Sequence, residues 1–207
     1  MTEPTPVRRR RGRGARERIL KAATKLFTAQ GINATGMDQL STVANVSKRT
    51  LYTHFPSKDE LVQAYLQALE DSDLPPLQPS GEPSDEPALD PRTQLLAVFD
   101  WTPQDTTAPL RGCPFLNAGI EVPDPGHPVH QLVAAHKREF ARRLAGIARQ
   151  AGIADPETLG EQLALLYDGG AARAAALNSG HTATCARSIA ELLIDTALAA
   201  GDPASPR

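Results

Sequence analysis

Residues 37–60 read MDQLSTVANVSKRTLYTHFPSKDE, and their apolar spacing leaves little freedom in how this stretch folds. Met37, Leu40 and Ala44 fall on one helical stripe, and Leu51 with Phe55 forms a second. Asn45 stands between them, a residue type that tolerates the left-handed backbone of a tight turn. The pattern predicts two short helices meeting at a tight turn, with a further helix beginning near Ser57. Whatever the stripes do not bury faces outward. That set is Lys48, Arg49, Thr50, Thr53 and His54, a donor-rich surface suited to phosphates and to base edges in a major groove.

Val46, Ser47, Thr50, Leu51, Tyr52, His54, Phe55, Ser57, Lys58 and Leu61 stand in the register V-S-x-x-T-L-Y-x-H-F-x-S-K-x-x-L. In this string the chain resembles the tetracycline-repressor (TetR/AcrR) family of bacterial regulators, over roughly Ala15 to Leu69. The resemblance implies an all-α fold, with an N-terminal three-helix helix-turn-helix DNA-binding domain and a C-terminal helical domain for ligand binding and dimerisation. Lys48 and Arg49 then open the recognition helix, where they reach guanine O6 and N7. Thr50 offers a hydroxyl to a base or a methyl to thymine. These three are the candidate base contacts. Tyr52 and His54 match family positions that contact phosphates, and Lys58 adds charge at the start of the next helix. For Tyr52 a core role for the ring, with only the hydroxyl exposed, is an equal alternative. Thr35 is a further phosphate candidate; Gly36 follows it where the family often carries Ser or Thr, so a cap contact is expected to be missing.

The charge is divided unevenly. Residues 1–60 carry 12 Lys and Arg against 5 Asp and Glu, a net of +7, while the remainder carries 10 against 19, a net of −9. One end is therefore suited to a polyanion and the other is not. Residues 1–14, rich in Pro, Arg and Gly, are expected to be a disordered basic arm. Its Arg9, Arg10, Arg11 and Arg13 either enter an adjacent minor groove, the favoured reading, or enlarge the ion atmosphere.

The pattern, together with what the resemblance implies for the role of each part, divides the rest of the chain into a helix-turn-helix domain at 15–56, a connecting helix at 57–71, an acidic Pro-rich linker at 72–91, a helical regulatory and dimerisation domain at 92–201, and a disordered tail at 202–207. Ser57 and Glu60 fit a capping box. Gly31 is placed to end the first helix, Gly152 a later one, and Asp155-Pro156 to start another. A short helix is expected over 93–100 and another over 112–121, before Pro123, Pro125, Gly126 and Pro128 interrupt. In the resembled family the last two helices pair with their copies in a dimer. Ala171 to Ala176 is an alanine-rich face suited to close helix approach.

A small-molecule effector is implied by the resemblance, its identity open. Phe99, Trp101, Phe115, Asn117, Glu121, His136, Phe140 and Tyr167 are candidate lining because they mix apolar walls with a few polar groups. The competing reading is that they are ordinary core. His127, His130 and His136 with Cys113 lack zinc-site spacing, and no phosphate loop or nucleophile elbow occurs, so neither metal, cofactor nor catalysis is expected. The two cysteines, Cys113 and Cys185, are expected to be reduced and packed. No apolar run reaches membrane-spanning length and no signal region follows the arginines, which points to a cytoplasmic protein without a membrane partner. The expected partners are an operator in double-stranded DNA and a second copy of the chain. A sequence-specific regulator, most simply a repressor released by its effector, is the leading reading. The alternative is an architectural protein that coats DNA without sequence choice.

Overall fold

The computed structural model describes residues 13–73, 89–100 and 110–201, and among these every regular element is a helix. The chain divides into two compact units, 1–69 and 70–207. The first unit contains α1 (Arg13–Gln30), α2 (Met37–Val43), α3 (Lys48–His54) and most of α4 (Lys58–Asp73). Gly31 stops α1 in the left-handed region (φ 94°), its N–H returning to the Phe27 carbonyl at 3.0 Å. Ile19, Ala23 and Phe27 of α1, Leu40 and Ala44 beside them, Leu51 and Phe55, and Leu61, Val62, Tyr65 and Leu66 are all buried. Tyr65 meets Phe27 edge-on with ring centroids 5.3 Å apart. Burial of each large aliphatic side chain contributes about 1.5–3 kcal/mol, which short helices such as α2 and α3 need because they are unstable alone.

The second unit holds α5 (Pro91–Ala97), α6 (Pro114–Glu121), α7 (Pro128–Gln150), α8 (Pro156–Leu177) and α9 (His181–Gly201). Four of these begin with proline, whose missing N–H costs nothing in a first turn. Asp90 caps α5 by accepting from the Thr93 N–H at 3.1 Å, and Asp155 caps α8 by accepting from Thr158 at 3.2 Å. Pro128, expected as an interruption, is instead the first residue of α7, capped by His127, whose Nδ1 accepts from the Val129 N–H at 3.2 Å. The segment expected as linker over 72–91 gives its ends to helices: α4 runs to Asp73, and α5 starts at Pro91. Residues 74–88 of it, and the tail at 202–207, lie outside the described residues.

Phe140, Leu144, Ile147 and Ala148 of α7 pack with Leu159, Leu163 and Ala164 of α8, with Ala186, Ala190 and Ile194 of α9, and with Leu95, Leu96 and Phe99. The α7–α8 approach depends on Gly160. A Cβ there would lie 2.7 Å from the Ala141 carbonyl oxygen and 2.8 Å from the Ala145 nitrogen. In the alanine-rich stretch of α8, Ala171 and Ala174 are buried within the chain, while Ala172 and Ala176 are exposed. A Cβ on Gly112 would sit 3.2 Å from the Ala171 carbonyl oxygen, so this face receives the chain's own backbone. Cys185 also departs from the packed role expected of it, being exposed on α9, while Cys113 is half-buried and receives the Lys137 ammonium at 3.4 Å.

Phe115 lies flat on His136, centroids 3.5 Å apart and planes 5° from parallel, and His136 Nδ1 is 3.2 Å from Glu70 Oε1. Burial pushes the imidazole below the ordinary histidine value of 6.5, and Glu70 offsets this only in part. A histidine held neutral in the fold and free to protonate when unfolded binds more protons in the unfolded state, so its contribution to stability falls as pH drops through 6.5. Urea unfolding between pH ~7 and ~5.5 should therefore show a smaller loss of stability for His136→Gln than for the unsubstituted protein; equal losses would contradict this. In the same assay Gly160→Ala should cost about 1–3 kcal/mol by overpacking against backbone. Gly146→Ala, where nothing lies within 4 Å of the added methyl, should stabilise by about 0.5–1 kcal/mol.

Candidate nucleic-acid interface

The site begins at the turn between α2 and α3. Asn45 takes the left-handed conformation (φ 50°), its N–H returning to the Thr42 carbonyl at 3.1 Å and that of Val46 to Ser41 at 3.0 Å. These paired bonds are the Schellman closure of a helix end, here with asparagine in place of glycine. Arg18 of α1 donates its Nε–H to the Ala44 carbonyl at 3.2 Å and so ties the turn to the supporting helix. Ser47 then caps α3. Its Oγ accepts from the Thr50 N–H at 3.0 Å and pairs with the Thr50 hydroxyl at 2.8 Å.

Leu51 is fully buried and Phe55 nearly so, with the Arg16 guanidinium 5.3 Å over the Phe55 ring. Fixing these two side chains inward turns Arg49, Tyr52 and Thr53 outward, and all three are exposed. Tyr52 is 47% exposed, more than a ring buried up to its hydroxyl would leave. Thr53 donates its hydroxyl to the Arg49 carbonyl at 2.7 Å. Lys48 is exposed and paired: its Nζ lies 2.8 Å from each carboxylate oxygen of Asp38, on the first turn of α2. The hydrogen bond that Lys48 donates to the Asp38 carboxylate holds the ammonium above its ordinary pKa. His54 and Lys58 are half-buried at the end of α3 and the start of α4, where Ser57 Oγ accepts from the Glu60 N–H at 3.1 Å.

Thr35 does not belong with them. It is fully buried, its hydroxyl donates to the Gly31 carbonyl at 2.7 Å, and it accepts from Gln30 Nε2 at 3.1 Å. A hydroxyl engaged in this way holds the chain between α1 and α2 and is not presented to a phosphate. Gly36, next to it, gives α2 no side-chain cap. Arg9, Arg10 and Arg11 lie outside the described residues, and Arg13 is the first residue of α1, so the expected arm at 1–14 gives way to helix two residues early. Asp38, Arg16 and Arg18 escaped the reading of the sequence. Their partners are ten or more positions away, and only the fold brings them together.

Of the eight candidate effector residues, the seven that are described divide into two groups. Phe99 and Phe140 are buried in the core, and Tyr167 stands against both, 6.2 and 5.1 Å between centroids, so these three fill one another's space. Phe115 and His136 form the stacked pair, Asn117 donates Nδ2–H to the Arg111 carbonyl at 2.6 Å, and Glu121 is half-buried at the end of α6. Beside the stack, Lys137 bridges Asp168 and Cys113. Trp101 lies outside the described residues. His130 Nδ1 is 2.8 Å from the Val122 carbonyl oxygen, so the three histidines of the considered metal cluster have separate partners. Among the described residues no three His, Cys, Asp or Glu side chains gather as metal ligands, and no helix is long and apolar enough to cross a membrane.

Residues 19–65 match the family model described as bacterial regulatory proteins, tetR family. A TetR-family transcriptional regulator from Streptomyces coelicolor has a similar structure, with a TM-score of 0.77 and 30% identity over 89% of this chain and 96% of that one. A TetR transcriptional regulator from Streptomyces avermitilis gives 0.75 and 33% over 88% and 97%. Among curated proteins, the HTH-type transcriptional regulator TcmR of Streptomyces glaucescens is 33% identical over 87 residues, 39% of this chain and 38% of that protein. The chain thus aligns with well under half the length of this curated relative, while it spans nearly the whole of the two solved structures. On the full-length likeness above 30% identity to the S. avermitilis regulator and on the matched helix-turn-helix, this chain belongs to the TetR family of transcriptional regulators.

Proposed function

We propose that the chain is a sequence-specific DNA-binding regulator, most simply a repressor, that occupies a palindromic operator as a homodimer and leaves it when a small molecule binds the second unit. The observation that carries this reading is the outer face of α3, where a rigid turn, a capped first turn and two buried anchors present Lys48, Arg49 and Thr50 together. Arg49 is the principal base reader, since it is exposed and its fork matches guanine O6 and N7. Lys48 and Thr50 flank it. Tyr52, His54 and Lys58 take phosphates, which set register without reading sequence. Arg9, Arg10, Arg11 and Arg13 follow the adjacent minor groove.

One such head touches few base pairs. Two heads about 34–36 Å apart on successive major-groove faces supply the missing specificity, and a two-fold dimer achieves that spacing. The exposed apolar side chains of the last two helices support the pairing surface: Leu165 is 75% exposed on α8, and Ile189 and Leu192 are 48% and 67% exposed on α9. Phe115, Asn117, Glu121 and His136 are the proposed effector contacts, because Phe99, Phe140 and Tyr167 are engaged with one another's rings. For release, the effector must bind the DNA-incompetent state more tightly than the competent one.

Selection of duplexes from a random pool should return a palindrome, and Arg49→Ala should lose about 1–3 kcal/mol at one base position of each half-site. Recovery of no preferred sequence would favour the architectural alternative and end the proposal. Leu165→Asp with Leu192→Asp should give a folded monomer by sedimentation and weaken operator binding. A dimer that persists would move the pairing surface elsewhere.

A further inference from the structure

The contact between Lys48 and Asp38 is unexpected on a surface meant for a polyanion. Both side chains are exposed, 64% and 73%, so the pair adds little to the fold. Its consequence falls on whatever approaches that face. Asp38 sits on the first turn of α2, the helix that crosses the DNA backbone in helix-turn-helix docking, and an unneutralised carboxylate there repels phosphate. Lys48 supplies the neutralising charge from the start of α3, with its nitrogen 2.8 Å from each Asp38 oxygen. An ammonium group has three N–H donors, and this arrangement leaves one of them for DNA.

Resting on the DNA-reading role of α3, we infer that Asp38 is a specificity-determining residue: by holding Lys48 on both carboxylate oxygens it suppresses binding to arbitrary sequence and limits Lys48 to one directed donor at the operator. A lysine without a partner is a mobile point charge that satisfies itself on any phosphate. The same lysine held by Asp38 is tethered to the first turn of α2 and contributes only where an acceptor lies on the remaining N–H. Guanine O6 or N7 meets that requirement, and the binding lost at other positions becomes discrimination.

The test measures the full-length protein by fluorescence anisotropy against the selected duplex and a scrambled duplex of the same composition, over a series of salt concentrations. Asp38→Asn should tighten the scrambled duplex several-fold, steepen the slope of log affinity on log salt by about 0.9 for the one additional phosphate contact, and shrink the ratio of selected to scrambled affinity. Asp38→Glu, which keeps the charge, should retain the unsubstituted slope. Lys48→Ala should weaken both duplexes, because it exposes the carboxylate, and the double variant Asp38→Asn with Lys48→Ala should bind several-fold more tightly than Lys48→Ala alone. Circular dichroism confirms that each variant remains helical. An unchanged slope and ratio in Asp38→Asn, or a double variant no tighter than Lys48→Ala, overturns the inference. Absence of any sequence preference in the unsubstituted protein removes the DNA-reading role as well, whereas a preference with an unchanged Asp38→Asn slope removes only the part given to Asp38.

Discussion

The left-handed residue at Asn45 sets the direction of everything that faces outward from α3. With φ at 50° it ends α2 and redirects the chain within a single residue, and two backbone hydrogen bonds close the turn behind it. A non-glycine residue in this region pays a steric cost of about 1–2 kcal/mol, reduced for asparagine because its short polar side chain bonds locally. The Schellman closure and the Arg18 bond to Ala44 hold the turn against that cost. Once the angle is set, Leu51 and Phe55 reach the core and Arg49 and Tyr52 are carried to the opposite side. The reading face is thus a consequence of packing: its residues point outward because two of their neighbours are anchored inward.

This explains why much of the fold was legible in the sequence. The glycine that ends α1, the turn at Asn45, the Ser57 cap and the Asp155-Pro156 start of α8 are local signals, each complete within a few residues, and each sits where its chemistry requires. The apolar stripes, Leu40 with Ala44 and Leu51 with Phe55, are equally local and equally clear. What was not legible depends on a partner far along the chain. Thr35 is polar and lies before a helix, so it resembles a surface contact, yet Gly31 and Gln30 close around it. Ala171 and Ala174 read as a surface for another copy until Gly112 is found against the same face. Composition makes a residue suitable for an interface; only the packing determines which interface receives it.

The second unit shows the same limit. Aromatic and polar residues mixed at helical spacing suggested one binding surface, but Phe99, Phe140 and Tyr167 interlock as core, while Phe115 and His136 stack separately beside Glu70. The stack lays the imidazole flat against the Phe115 ring, and burial favours its uncharged form. Next to it Lys137 bridges Asp168 and the Cys113 sulfur, so charged and aromatic groups lie within a short distance on α7. Elsewhere the second unit is held by side-chain pairs at its periphery. Arg92 reaches Glu191 and Asp195 from α5 to α9, and Arg187 reaches Asp100, which fastens short α5 to the long terminal helix at its exposed edge.

Charge distribution finally connects the fold to the choice of target. The excess of positive charge in residues 1–60 draws this end to any polyanion, and attraction of that kind carries no sequence information. A regulator must find a few sites among a vast number of competing ones, so the ratio of specific to non-specific affinity matters more than affinity itself. Adding cations to the reading head raises both terms together. Discrimination increases when part of the positive charge is already spoken for, and the carboxylate of Asp38 within reach of Lys48 is an arrangement that does this. Arg49, for which no such partner appears among the described residues, is fixed in direction by the anchored helix, and under the proposed function it is the principal reader of sequence while the phosphate-facing groups keep it in register.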